Sequence, residues 1–198
     1  INGAPVAQTD VPDLRLWRLY VSNLVTHYQG NVRHWEMCNE PNQGSQYTVG
    51  DAGIYSEMLR YSVPMIRSIQ TNSVITALGG ALTTNWIGTV LSNMSSIGLV
   101  SSFSNASVHI YPGNDGTGPS INEIMVAYGL PWMNTESGSV DHGALVGEAA
   151  SGRREGTPVE RFYEAERYYN GTGHRAMLTT KNHIESLGDG AIRIFTYD

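Results

Sequence analysis

Residues 34–42, His-Trp-Glu-Met-Cys-Asn-Glu-Pro-Asn, contain a short apolar run that ends abruptly in Asn-Glu-Pro. Residues 32–37 have the pattern of a β-strand. Proline has no backbone N–H and a fixed φ, so Pro41 ends the strand and disfavours right-handed helical angles at Glu40. The stretch therefore predicts a carboxylate at the exit of a strand, where barrels of parallel strands carry their chemistry. A turn that happens to contain a glutamate is the alternative for these residues alone.

The composition is that of a folded domain with an acidic surface. The chain has 198 residues, of which 40% are hydrophobic, and a formal net charge of −6. A single domain spanning residues 1–198 is the natural expectation for this length. The 12 Lys and Arg residues are scattered, which argues against a nucleic-acid partner because phosphate neutralisation needs clustered cations. No apolar run approaches the ~20 residues of a membrane helix, and no signal peptide is visible.

The sequence predicts neither a metal site nor a cofactor. Its histidines lack the tight spacing with cysteines or carboxylates that zinc sites show. The single cysteine, Cys38, excludes an internal disulfide, and a small buried apolar filler is its expected role. Three Asn-x-Ser/Thr sequons, at Asn93, Asn105 and Asn170, become informative only if the protein is secreted.

Helical and strand patterns alternate along the chain. Five short runs, residues 32–37, 74–78, 105–111, 131–136 and 191–197, predict strands. Apolar residues at helical spacing predict the helices between them. These residues are Trp17, Val21, Leu24, Val25 and Tyr28; Ile54, Met58, Tyr61, Met65 and Ile69; Ile87, Val90, Leu91, Met94 and Ile97; and Ile121, Ile124, Met125 and Tyr128. A glycine-rich loop at 139–158 and helices at 162–169 and 177–187 complete the prediction. The alternation favours a parallel α/β fold. A doubly wound sheet competes, but its phosphate-binding Gly-x-Gly-x-x-Gly turn is missing.

A second glutamate, Glu136, occupies the same kind of place as Glu40, at the C-terminal tip of a predicted strand and before a small-residue turn. Three strand-to-strand steps separate the two glutamates, and strands related in that way face each other across the mouth of a barrel. Two opposed carboxylates are what cleavage of a glycosidic bond requires. One protonates the leaving oxygen, and the other meets the developing oxocarbenium ion.

Four motifs together resemble the clan A glycoside hydrolases. Residues 35–42 look like the fourth-strand motif of these enzymes, residues 108–111 like the sixth strand, residues 132–138 like the seventh-strand nucleophile motif, and residues 190–197 like the eighth strand. The branch that contains β-xylosidases and related exo-acting or endo-acting enzymes is the finer placement that the resemblance suggests. It implies a partial (β/α)8 TIM barrel, with five of eight strands present and the first three missing.

The resemblance also implies a retaining O-glycoside hydrolase that acts on β-linked oligo- or polysaccharides by double displacement. Glu40 would be the general acid and then the base, Glu136 would be the nucleophile, and Asn39 would hydrogen-bond the sugar 2-hydroxyl. The implied partner is a carbohydrate substrate, with no nucleic acid, no membrane and no cofactor. An extracellular or periplasmic location is expected because polysaccharides usually lie outside cells.

Further substrate contacts are predicted around the carboxylate pair. His109 and Tyr111 are two residues apart on a strand and share a face, from which Tyr111 would donate its O–H to Glu136. A satisfied core histidine is the alternative for His109. Trp86 would stack on a sugar face, with helix packing as its alternative. Tyr197 stands where the family carries a tryptophan, and the family's early arginine has no counterpart here.

The length of the chain is short for a whole barrel. Eight β/α units typically need ~250 residues, and five strands without their neighbours leave bare sheet edges. We therefore predict that these residues are part of a longer chain, or are completed by another chain. A non-catalytic carbohydrate-binding or structural relative, or an inactive barrel fragment, is the competing interpretation. The sugar, the linkage and the mode of cleavage are not specified by these residues.

Overall fold

The computed structural model describes residues 11–44, 50–110, 117–137 and 187–196. Within these ranges helices and strands alternate, with a short 3-10 turn at Val100–Ser102. The elements are α1 (Leu14–Tyr28), β1 (His34–Glu36), α2 (Ala52–Ile69), β2 (Val74–Gly80), α3 (Thr84–Ser96), β3 (Asn105–Val108), α4 (Thr117–Ala127), β4 (Trp132–Ser137) and β5 (Ile194–Thr196). The predicted loop at 139–158, the predicted helix at 162–169 and most of the predicted helix at 177–187 lie outside the described residues.

The five strands form one parallel sheet in the order β1-β2-β3-β4-β5. Strand order therefore follows chain order, as in a barrel. Neighbouring strands are about 4.8 Å apart, so β1 and β4 would be roughly 14 Å apart in a flat sheet. Instead, the Thr135 hydroxyl on β4 donates to the Glu36 carboxylate on β1 over 2.9 Å. The sheet is thus curled into part of a barrel, which confirms the predicted partial barrel fold.

The inner, concave face of the sheet is polar. The register sets Glu36, Thr76 and Asn105 side by side on this face, and the Thr76 hydroxyl donates to the Asn105 side-chain oxygen over 2.5 Å. Ser107 and Thr135 continue it on β3 and β4. Because the Asn105 side chain is buried and bonded in this row, its sequon is not accessible in the folded chain.

The helices pack their apolar stripes on the outer face of the sheet, where the core lies. On α2 the fully buried residues are Tyr55, Met58, Leu59, Val63 and Ile66. Of the five members of the predicted stripe only Met58 is fully buried, while Met65 and Ile69 are partly buried against the core, so the stripe lies at the margin of the buried face. The buried face is rotated because Ser56 and Ser62, which no apolar pattern includes, are also enclosed.

The stripes of α1, α3 and α4 are confirmed over most of their length, except that Tyr28 and Ile97, at or beyond the C-terminal ends of α1 and α3, are exposed. Within the described part of the chain, no helix combines the length and apolar character needed to cross a membrane.

Both long helices begin at an aspartate that caps free backbone N–H groups. Asp51 accepts from Gly53 and Ile54 at the start of α2, over 2.6 and 3.0 Å. Asp13 accepts from the backbone of Arg15 at the start of α1 over 2.8 Å, and from the Arg15 guanidinium over 3.0 Å. The hydrogen bond from the Arg15 side chain is the largest cause that lowers the pKa of Asp13 from 3.8 to about 2.

Two side chains near the end of α2 hold the segments that lead into the strands. Gln70 donates to the carbonyls of Gln29 and Val32, each over 2.8 Å, and accepts from the Trp35 indole. Arg67 donates to the carbonyls of Ser73 and Ser102, just before β2 and β3. Both strands and the turn before β1 are therefore anchored to one helix.

Candidate active site

The ends of β1 and β2 adopt left-handed backbone angles. Cys38 has φ of 69°, Glu40 of 44° and Leu78 of 76°, values that L-residues rarely adopt. The Glu40 N–H donates to the Gly79 carbonyl over 2.5 Å. Pro41 thus keeps Glu40 out of the right-handed helical region, as expected, but the backbone turns left-handed rather than extended. Such strain persists where the surrounding structure enforces it, and functional sites are a common place for it.

The Tyr55 side chain, which projects from α2, holds these strained backbone segments in place. Its hydroxyl donates to the Met37 carbonyl over 2.8 Å and accepts from the Leu78 N–H over 3.0 Å. The side chain is completely buried. One helix-borne hydroxyl therefore joins the two strand ends, three residues before Glu40 on one strand and directly before Gly79 on the other.

His109 enters the site directly after β3. Its backbone N–H donates to the Gly80 carbonyl over 3.1 Å. The next residue, Ile110, is gripped by the buried Asn134 side chain, whose oxygen accepts from the Ile110 N–H and whose nitrogen donates to the Ile110 carbonyl, each over 3.1 Å. Bonds to β2 and β4 thus fix the chain on both sides of the imidazole.

The imidazole of His109 lies between the two predicted catalytic carboxylates. Its Nδ1 is 3.1 Å from Glu40 Oε1 and 3.6 Å from Glu136 Oε2. The distance between Glu40 Oε1 and Glu136 Oε2 therefore cannot exceed the sum of these two distances. Carboxylates are ~5–5.5 Å apart in retaining glycosidases and ~6.5–9.5 Å apart in inverting ones. The arrangement accommodates the first class and only the narrow end of the second.

The three side chains differ in their access to solvent. The side chains of Glu40 and Glu136 are 31% and 26% exposed, whereas that of His109 is 4% exposed. The Nδ1 atom forms its hydrogen bond with Glu40, and it is the donor in that bond whenever the Glu40 carboxylate is ionised, because an ionised carboxylate can only accept. The carboxylates are thus open to a ligand, and the buried imidazole is hydrogen-bonded to Glu40 and lies beside Glu136.

The structure brings three of the seven predicted site residues into one cluster, Glu40, Glu136 and His109. Asn39 lies exposed beside Glu40. The prediction that Trp86 stacks on sugar is a poor fit, because Trp86 is only 8% exposed, packs on Tyr55 and donates to the Gly50 carbonyl over 2.9 Å. Trp86 instead packs against a neighbouring helix, which is the alternative given for it above. Tyr111 and Tyr197 lie outside the described residues.

Sequence reasoning missed the residues that hold this cluster. Tyr55 lies in no recognisable motif, and Asn134 is a member of the predicted nucleophile motif to which the sequence assigns no role. Gly79 and Gly80 follow directly after the strand predicted over residues 74–78. A glycine pair that ends a predicted strand was the signal available, since it indicates close approach of another group. No cluster suited to a metal ion occurs among the described residues.

Comparison with known proteins gives structural matches only. No protein-family model and no curated protein matches the chain. A monomeric β-xylosidase from Caulobacter crescentus superposes with a TM-score of 0.59 and 20% identity, over 70% of this chain and 35% of that one. A GH10 endoxylanase from a sugarcane soil metagenome gives 0.54 and 13%, over 92% and 55%. The GH53 catalytic domain of Ignisphaera aggregans gives 0.54 and 15%, over 92% and 53%.

These neighbours are clan A glycoside hydrolases with TIM-barrel folds. The fold is part of that barrel. The predicted resemblance is confirmed at this level, and the xylosidase-like branch is only weakly suggested. The chain spans about a third of the length of the β-xylosidase and about half of the other two.

Proposed function

We propose that this chain carries the catalytic centre of a retaining O-glycoside hydrolase that acts on β-linked oligo- or polysaccharides. The observation that carries the proposal is the pair Glu40 and Glu136, placed at the carboxyl-terminal ends of β1 and β4 and both within 3.6 Å of one His109 nitrogen. The fold supports it, because barrels of this kind place their chemistry at that end of the strands.

In the first step, a Glu136 oxygen attacks the anomeric carbon and forms a glycosyl–enzyme ester. The bond to the leaving oxygen breaks, and that oxygen takes the proton of the Glu40 carboxylic acid. In the second step, Glu40 removes a proton from water, the water oxygen attacks the anomeric carbon, and the Glu136 carboxylate is released. The partial exposure of both carboxylates leaves room for a sugar and then for water.

The substrate assignment rests on the resemblance of the motifs. Asn39, exposed one residue before Glu40, would bond the sugar 2-hydroxyl, an interaction that contributes to rate if it strengthens in the transition state. An extracellular or periplasmic setting and a role in polysaccharide degradation follow from the same substrate class. Completion of the barrel by further chain belongs to the proposal as well.

The test is hydrolysis of aryl β-glycosides, among them xylosides and glucosides, by the wild-type protein and by Glu136→Gln. The amide cannot act as the nucleophile, so kcat should fall by on the order of 10⁴-fold or more. Glu40→Gln should lose about 10²–10⁴-fold with poor leaving groups, and much less with good ones that need no protonation. Glu57→Gln, which neutralises a surface carboxylate paired with Arg60, is the matched control.

Retention of configuration in the product, followed by NMR, would support the double displacement. Turnover that Glu136→Gln leaves unchanged would refute the mechanism. Binding of oligosaccharides without any turnover by the wild-type protein would instead favour the non-catalytic, carbohydrate-binding alternative.

A further inference from the structure

We propose that Gly80 is a positioning residue, whose bare backbone seats the imidazole of His109 between the two carboxylates. This inference deepens the proposed function and rests on it for its kinetic consequences. The contact between the Gly80 backbone and the His109 ring is called the seat below, and it is a structural arrangement of two strand ends.

The space beside Gly80 is taken by the imidazole. A Cβ built at Gly80 would overlap Cε1, Nε2 and Cδ2 of His109, three of the five atoms of the ring whose Nδ1 faces the carboxylates. The His109 side chain is 4% exposed, so the ring has no open solvent into which it can retreat. Any side chain at Gly80 must therefore push the ring out of its place between Glu40 and Glu136.

The backbone of Gly80 is itself held in place by β3. Its N–H donates to the Ser107 hydroxyl over 3.1 Å, and that hydroxyl lies 3.2 Å from the Ala77 carbonyl, to which it donates. The register between β2 and β3 shifts between Ala77 and Gly80, as at a bulge, and bulges re-aim the residues that follow. The fully buried Ser107 thus takes over hydrogen bonds that the ladder loses at the shift.

The seat and the ring are linked through the main chain as well. The Gly80 carbonyl accepts from the His109 N–H over 3.1 Å, and the preceding Gly79 carbonyl accepts from the Glu40 N–H. Two adjacent glycines therefore locate both the imidazole and one of the carboxylates. Displacement of the ring by an ångström would break the Nδ1 contacts, and a misplacement of that size costs about 10²-fold in rate.

The experiment compares Gly80→Ala with Gly98→Ala in the full protein. Gly98 has φ of 69°, similar to 88° at Gly80, but a Cβ there meets nothing within 4 Å. Gly98→Ala therefore reproduces the backbone strain without the overlap. We expect kcat on an aryl β-glycoside to fall about 10²-fold in Gly80→Ala and less than about twofold in Gly98→Ala, with circular dichroism unchanged in both. The pH profile of kcat should shift in Gly80→Ala alone.

A double-variant cycle isolates the contact. In a His109→Ala background the ring is gone, so Gly80→Ala should cost no more than Gly98→Ala does there. An equal loss from Gly80→Ala with and without the ring would overturn the inference, because the effect would then be backbone strain.

The imidazole can also be observed without turnover. Nitrogen-15 NMR of His109 should show a protonated Nδ1 in the wild-type protein and in Gly98→Ala, and an altered nitrogen shift in Gly80→Ala. If the wild-type protein had no hydrolase activity, the proposed function would be refuted. The NMR comparison would still decide whether Gly80 holds the His109 ring in place. Identical His109 signals in all three proteins would overturn the inference.

Discussion

Tyr55 makes two buried hydrogen bonds with one hydroxyl, and its removal tests how the strand ends are held. Tyr55→Phe would leave the Met37 carbonyl and the Leu78 N–H without that partner at a site closed to water. A buried group left unsatisfied costs ~1–3 kcal/mol, so the free energy of unfolding in urea should fall by about that amount. Activity should fall too, because the released strand end leads into Glu40.

The control for this prediction is Tyr20→Phe, which removes a hydroxyl from a tyrosine that is 57% exposed. Equal unfolding midpoints for the two variants would contradict a structural role for the Tyr55 hydroxyl.

At the scale of the residue, sequence could predict which two carboxylates come together at the strand ends but not what holds them there. Glu40 and Glu136 are visible because each ends a strand pattern and precedes a turn. The contact of His109 with both depends on three strands coming together, which no local pattern records. Trp86 shows the opposite limit, since an aromatic residue after a strand has the same sequence pattern whether it stacks on a ligand or on Tyr55.

At the scale of the element, helices and strands were predictable because their periodicities are local properties. Their ends were less so. The strand predicted over 105–111 ends at Val108. The His109 N–H bonds the Gly80 carbonyl at the shifted end of β2, and Ile110 bonds the side chain of Asn134 rather than the backbone of β4. The buried face of α2 was displaced for a related reason, as close packing encloses its serines along with Tyr55 and Leu59.

The cap of α1 provides a pH-dependent prediction. The pKa of Asp13 is lowered from 3.8 to about 2 by the Arg15 side chain, so folding is favoured by the ionised form. The stabilisation contributed by ionised Asp13 is fully present above about pH 4 and is lost as the pH falls towards 2. The amide signals of Arg15 and Leu16 in NMR should titrate with a midpoint near 2, as the first turn of α1 loosens.

Asp13→Asn serves as the control for the cap, because the amide oxygen still accepts from the backbone but carries no charge. These two amides should not titrate in that variant. A wild-type midpoint near 3.8 would show that the bond to Arg15 does not persist in solution, as salt screening at this exposed position could bring about.

At the scale of the whole molecule, the sheet is parallel and curled, and β1 has no outer neighbour among the described strands. Strand count and order followed from the sequence, whereas the curvature depends on contacts such as Thr135 to Glu36, which join elements 99 residues apart. The outer face is covered by helices, but the inner face keeps a polar row headed by the exposed Glu36.

The face of α1 turned away from the sheet leads to the last prediction. Leu16, Leu19 and Tyr20 are 65%, 56% and 57% exposed, and their i, i+3, i+4 spacing makes them one apolar stripe. The helix packs on α2 and leads along the chain into the edge strand β1, which has no second neighbour among the described strands. Exposed apolar patches and open strand edges both promote association, so residues 1–198 alone should self-associate as concentration rises in sedimentation velocity experiments.

Charged residues in the stripe, as in Leu16→Glu with Leu19→Lys, should shift these residues towards the monomer. Ile97→Glu with Val126→Glu changes two residues that are similarly exposed, at 50% and 69%, but belong to the end of α3 and to α4 rather than to the stripe on α1, and should leave the association unchanged. If the preceding units of a barrel are what covers this stripe, a longer chain that includes them should be monomeric without any substitution. A cooperatively melting monomer of residues 1–198 alone would show that the stripe and the β1 edge need no cover.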